Sequence, residues 1–157
     1  MNYRIKKVKR GEGIEITFDK LIPETQAVHA EMMLKTSRAE ATKLINAMHN
    51  LKKSFLAIAE IEIEEENILS VTQVNFKQSK EKGFGVQMIA ELYLLDSSEP
   101  LLLKSPTKWE TGNDERELMS ANLLTLLKEV QYEACDFIDQ EKDMQLEIFN
   151  GNKEEAA

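Results

Sequence analysis

The apolar residues Leu44, Met48, Leu51, Phe55 and Ile58 recur at steps of four, three, four and three, a spacing that only an amphipathic helix satisfies. Ala41 and Ile45 widen the stripe to a face about 100° broad. Ser37, followed three residues later by Glu40, has capping-box spacing, so its hydroxyl is expected to satisfy a free amide at the helix start. The helix is expected to run to about Glu60, with Glu62, Glu64, Glu65 and Glu66 as a solvated acidic exit. Such a helix has one apolar face, and the rest of the chain must cover it.

The cover is expected to be β-sheet. Tyr3, Ile5 and Lys7 alternate with charged residues over 3–8, and Ile14, Ile16 and Phe18 alternate with Glu15 and Thr17. Gly11-Glu12-Gly13 lies between them, which makes a hairpin with a tight turn. Residues 25–34 extend this to a third strand whose apolar side is Val28, Ala30, Met32 and Leu34. A three-stranded meander follows. In its first strand Ile68, Ser70, Thr72, Val74 and Phe76 alternate with Leu69, Val71, Gln73 and Asn75. The second, 84–95, places Phe84, Val86, Met88, Ala90, Leu92 and Leu94 on one side. The third begins at Leu101. Short polar connections imply antiparallel pairing. Thr111-Gly112-Asn113-Asp114 ends the meander and is expected to start a second long helix, with Leu123, Leu127, Val130, Ala134, Phe137 and Ile138 buried and Leu124 and Leu126 beside them. The fold class is therefore α+β: an antiparallel sheet, made of an N-terminal hairpin and a meander, packed with two long helices. Residues 1–143 form one domain, and 144–157 are expected to form a flexible acidic tail.

The chain has 157 residues, a size that suits one core, and no apolar run near the ~20 residues of a membrane span. The basic N-terminus lacks the apolar segment of a signal peptide, which points to a cytoplasmic protein without membrane association. Cys135, the single cysteine, rules out an intramolecular disulfide and reads as a packing residue. The net charge of −8 disfavours general binding of nucleic acid, because phosphate is repelled overall. Its distribution is uneven. Arg4, Lys6, Lys7, Lys9 and Arg10 stand together without an acid, whereas thirteen acids face four basic residues from Glu110 onward. The basic strand can touch phosphate locally, or it can be a lysine-guarded edge.

Clusters that mark enzymes are missing. Gly83-Phe84-Gly85 lacks the further glycines and following helix of a phosphate loop. No serine sits in a Gly-x-Ser-x-Gly elbow. His29 and His49 have no second histidine at helical zinc spacing, and Cys135 has no identifiable base, so no metal, cofactor or catalytic residue is assigned. Trp109 is expected to pack between sheet and helix.

Gln145-Leu146-Glu147-Ile148-Phe149 stands apart, with three apolar residues in an acidic terminus. The segment resembles the pentapeptide by which bacterial replication and repair proteins dock on the ring-shaped DNA sliding clamp. That resemblance implies that Gln145 hydrogen-bonds in one subsite, Ile148 and Phe149 fill an apolar pocket and Leu146 adds apolar contact. Ile148 stands where that family usually has leucine, and the resemblance covers these five residues alone. Phe137, Glu141, Met144 and Ile148 also continue a helical period, so the segment reads equally as the end of a packed helix. The chain as a whole looks like the small accessory proteins of bacteriophages and mobile elements. Three functions fit: a non-enzymatic accessory protein of DNA metabolism recruited to the sliding clamp, an acidic inhibitor of a host defence or nucleic-acid enzyme, or a small enzyme or ligand-binding domain with a scattered site.

Overall fold

Among the described residues the seven strands pair as one antiparallel sheet. The computed structural model describes residues 2–36, 41–63 and 68–156, the last stretch from 142 onward by its helical backbone only. The strands are β1 (Tyr3–Arg10), β2 (Ile14–Leu21), β3 (Val28–Thr36), β4 (Leu69–Ser79), β5 (Gly83–Leu92), β6 (Leu101–Lys104) and β7 (Lys108–Trp109). The helices are α1 (Thr42–His49), α2 (Lys52–Ala59) and α3 (Ala121–Ala156). Spatial order is β3-β2-β1-β4-β5-β6, with β7 also paired to β5. Two meanders thus meet at β1 and β4, and the chain crosses from one to the other through α1 and α2. The α+β class and the antiparallel sheet stand as the residue patterns imply.

The seam between the meanders is short. β1 and β4 pair only through Lys7↔Asn75, Val8↔Val74 and Lys9↔Gln73. A register irregularity at Ile5/Lys7 in β1 bounds this ladder at one end, and one at Val71/Gln73 in β4 bounds it at the other. Such bulges bend a strand and shift its side-chain phase by one. That shift corrects the strict alternation expected for β4. Leu69 and Val71 come from one phase and Val74 from the other, yet all three are buried in the same core. In β1 the same device buries Tyr3, Ile5 and Val8 together.

Helix boundaries also differ from expectation. The expected single helix over 37–60 is two, because the Leu51 amide reaches back three residues to Met48 O at 3.1 Å and tightens one turn. The stripe survives the break: Leu44, Met48, Leu51 and Phe55 are each at most 1% exposed. Ser37 and Glu40 lie outside the described residues. The last helix starts at Ala121 rather than just after Asp114. The intervening chain is held as a 3-10 turn at Glu115–Glu117 and by Met119 N–H donating to Trp109 O at 2.9 Å. Ser120 caps α3, accepting from Leu123 N–H at 3.1 Å. All six residues expected on its buried face are buried. α3 continues to Ala156, through the segment expected to be a tail.

β3 forms, but its apolar side is only partly covered. Val28 is 50% and Met32 45% exposed, because β3 is the sheet edge farthest from β4, against which α1 and α2 pack. At the opposite edge Pro106 interrupts pairing between β6 and β7, since proline has no amide to donate. Ser105 repairs the gap: its buried hydroxyl accepts the Met88 N–H at 2.8 Å and donates to Pro106 O at 3.0 Å.

Candidate functional site

Period-two alternation sends each strand's side chains to opposite sides. The inward set, including Val8, Ile16, Val74 and Met88, lies in the core with residues of α1, α2 and α3. The opposite set forms an open face. One row across it reads Lys35, Glu15, Lys9, Gln73, Ile89 and Lys104 through successive registered pairs, and a second reads Met33, Thr17, Lys7, Asn75 and Gln87. A third row passes from Lys77 through Gly85 to Trp109. None of the residues in the first two rows is buried.

Four carboxylates on or beside this face have partners. Glu15 meets Lys7 at 3.4 Å, Glu31 meets Lys6 at 3.1 Å, and Asp19 lies 3.9 Å from the same Lys6 ammonium. Glu91 accepts from the Tyr93 hydroxyl at 2.8 Å, which holds that phenol above its ordinary pKa. Arg4, Lys9, Lys35, Lys77 and Lys104 have no carboxylate partner among the described residues. The Trp109 ring lies on Gly85: a Cβ there would meet ring carbons at 2.4 Å. Only glycine admits this approach, so the indole lies on the open face rather than between sheet and helix as expected. The Lys82 ammonium stands 5.7 Å from the ring centroid and 3.1 Å from Glu117.

Where the seam ends, the sheet opens into a cleft. Its larger cavity, about 700 Å³, is lined by Arg4, Gln78, Lys128, Gln131, Tyr132 and Cys135 among others. Burial, then Asp139, pushes the Cys135 thiol up, away from the thiolate a nucleophile needs. Its polar lining comes from Arg4, Gln26, Gln78, Lys128 and Gln131, with the tyrosines Tyr3 and Tyr132 beside them.

A polar cluster closes the other end of β1. Arg10 donates to the Ser70 hydroxyl and lies 3.1 Å from His49 Nε2. Arginine has no acceptor, so His49 must accept, which requires a neutral ring carrying its proton on Nδ1. Partial burial, then the charges of Arg10 and Lys52, lower the His49 pKa to match.

His29 is exposed on β3, on a different element from His49. Among the described residues no three histidine, cysteine or carboxylate groups converge as a metal site, and no helix is long and apolar enough to cross a membrane. Glu64, Glu65 and Glu66 lie outside the described residues. The backbone of Gln145, Leu146, Ile148 and Phe149 is helical within α3, and their side chains lie outside the described residues. The open lysine face escapes residue-by-residue reading. Its signal is present, since Lys7 and Lys9 flank buried Val8 and Lys35, Lys77 and Lys104 follow the partly buried Leu34, Phe76 and Leu103, but joining them requires the strand order. Comparison with known proteins returns no matching family model, no matching curated protein and no matching solved structure.

Proposed function

We propose that this chain is a non-enzymatic accessory protein of bacterial or phage DNA metabolism, recruited to the DNA sliding clamp by Gln145, Leu146, Ile148 and Phe149. The observation that carries this reading is the pentapeptide itself, placed on α3 beyond Ile138, the last core residue among those described. Docking in extended form requires the end of α3 to unwind, and Asn150 and Gly151, both poor helix formers, lower that cost.

The test is a synthetic peptide covering residues 143–150, titrated onto a bacterial sliding clamp. Binding on the order of micromolar is expected, because a few anchors must offset the ordering of the segment. In the full chain, replacing Ile148 and Phe149 together by alanine removes clamp binding and leaves the melting temperature unchanged. If the peptide binds nothing and the double variant melts earlier, the segment is a packed helix end and the recruitment reading is discarded.

A further inference from the structure

We propose that the open face of the sheet is a binding surface for single-stranded nucleic acid, with phosphates at Lys9, Lys35, Lys104, Lys77 and Arg4 and a base stacked on Trp109. This does not depend on clamp recruitment. It starts from the way the fold sorts charge. The net charge of −8 is an average over the chain. α3 carries Glu129, Glu133, Asp136, Asp139 and Glu141 against Lys128 alone over its described side chains, whereas the open face of the sheet carries the unpaired cations. Binding depends on the local potential, and the screening length near physiological salt is only about 8 Å. Acids on the helical side are therefore largely screened from a ligand on the sheet.

The arrangement fits a strand of phosphates better than a single anion. The first row crosses six strands, about 24 Å at the usual strand spacing, with lysines at both ends and near the middle. Cations spread at that distance cannot converge on one small ligand. Between them Gln73, Asn75 and Gln87 offer donors and acceptors. Glu15, Asp19 and Glu31 share Lys6 and Lys7, so the three acids leave one negative charge against the five cations.

Trp109 narrows the ligand to a single strand. Its six-membered ring lies against Gly85, whose missing side chain leaves room for it. A base approaching the other side takes the place of the Lys82 ammonium, which keeps its partner Glu117 at 3.1 Å. Stacking of this kind is open to unpaired bases and closed to those inside a duplex. A second copy of the chain is a poor occupant, since it would set lysine rows against lysine rows.

Trp109 is the only tryptophan, so its emission reports on this place alone. The experiment titrates the full chain with oligothymidylate of about 20 nucleotides in about 50 mM salt, reading anisotropy and tryptophan emission. Expected are binding with quenched emission and a log–log salt slope on the order of −3 to −4, from five cations at about 0.7 each. Lys9→Glu with Lys104→Glu should weaken binding by about tenfold or more and flatten the slope by about 1.4. Lys43→Glu, exposed on α1 on the covered side of the sheet, should change neither. Lys9 and Lys104 are exposed, and an unchanged melt checks folding. Lys35→Glu on the edge strand gives a second, independent variant, expected to weaken binding about threefold or more. No binding at low salt overturns the proposal, as does equal loss from Lys43→Glu. Equal affinity for duplex DNA or heparin without quenching also overturns it, because that is adsorption of any polyanion.

Discussion

The two sides of the sheet share their strands and almost nothing else. On the side facing α1, α2 and α3, Val8, Ile16, Val74 and Met88 are each fully shielded from solvent. On the other, their immediate chain neighbours Lys7, Lys9, Thr17, Gln73, Asn75 and Gln87 stay accessible, and lysines are joined by amides rather than by apolar groups. A strand one residue out of phase would exchange the two sets, burying ammonium groups at a cost of several kcal/mol each. The bulges in β1 and β4 show how closely the phase is kept. Each inserts its extra residue without moving a buried side chain to the wrong side.

This contrast predicts unequal tolerance to change. The largest effect is expected on the covered side, where Leu51 is 0% exposed at the tightened turn between α1 and α2. Leu51→Ala should cost about 2–5 kcal/mol in a denaturant melt, as the cavity cannot collapse between helix and sheet. A change within about 0.5 kcal/mol would place Leu51 outside the core. On the open side most positions should be forgiving, with one exception. Gly85→Ala puts a methyl group 2.4 Å from the Trp109 ring, and displacing the indole should cost about 1–3 kcal/mol. Near-ultraviolet circular dichroism of the sole tryptophan should change with it. An unaltered spectrum and melt would mean that Trp109 does not rest on the sheet.

The smallest effect is expected at the rim, where His49 meets Arg10. A histidine whose pKa is lowered by folding binds its proton better in the unfolded chain, so stability is full above the unfolded value of about 6.5 and declines as pH falls below it. The ring is largely solvated, so the effect is small. Comparing the urea midpoints of the natural chain and His49→Gln at pH 7.5 and 5.5 isolates it from the carboxylates. The natural chain should lose slightly more on acidification. A smaller loss than in the variant would reverse the assigned direction of the shift.

At the seam, the comparison extends to the two meanders. Within each, strands pair along most of their length, whereas β1 and β4 share three residue pairs. α3 compensates across this junction. The Tyr3 hydroxyl donates to Asp139 at 2.8 Å, tying the start of β1 to the helix, while Leu127 and Val130 enter the core that both meanders share.

Local physics was legible in the residues alone. The stripe at Leu44, Met48, Leu51 and Phe55, the β5 alternation at Val86, Met88 and Ala90, and the apolar face of α3 follow from periodicities of 3.6 and 2, which need no neighbour to be recognised. The α+β class follows from the order of those periods. Three things required the assembled chain. Bulges in β1 and β4 depend on what lies across the strand, so strict alternation misplaced Thr72 relative to Val74. Trp109 settles on Gly85 because register sets them opposite one another, 24 positions apart in the chain. The lysine face arises only when β1 and β4 become neighbours, bringing Lys9 between Lys35 and Lys104. Composition sums charge along a chain, whereas a surface sums it over side chains that folding has brought together.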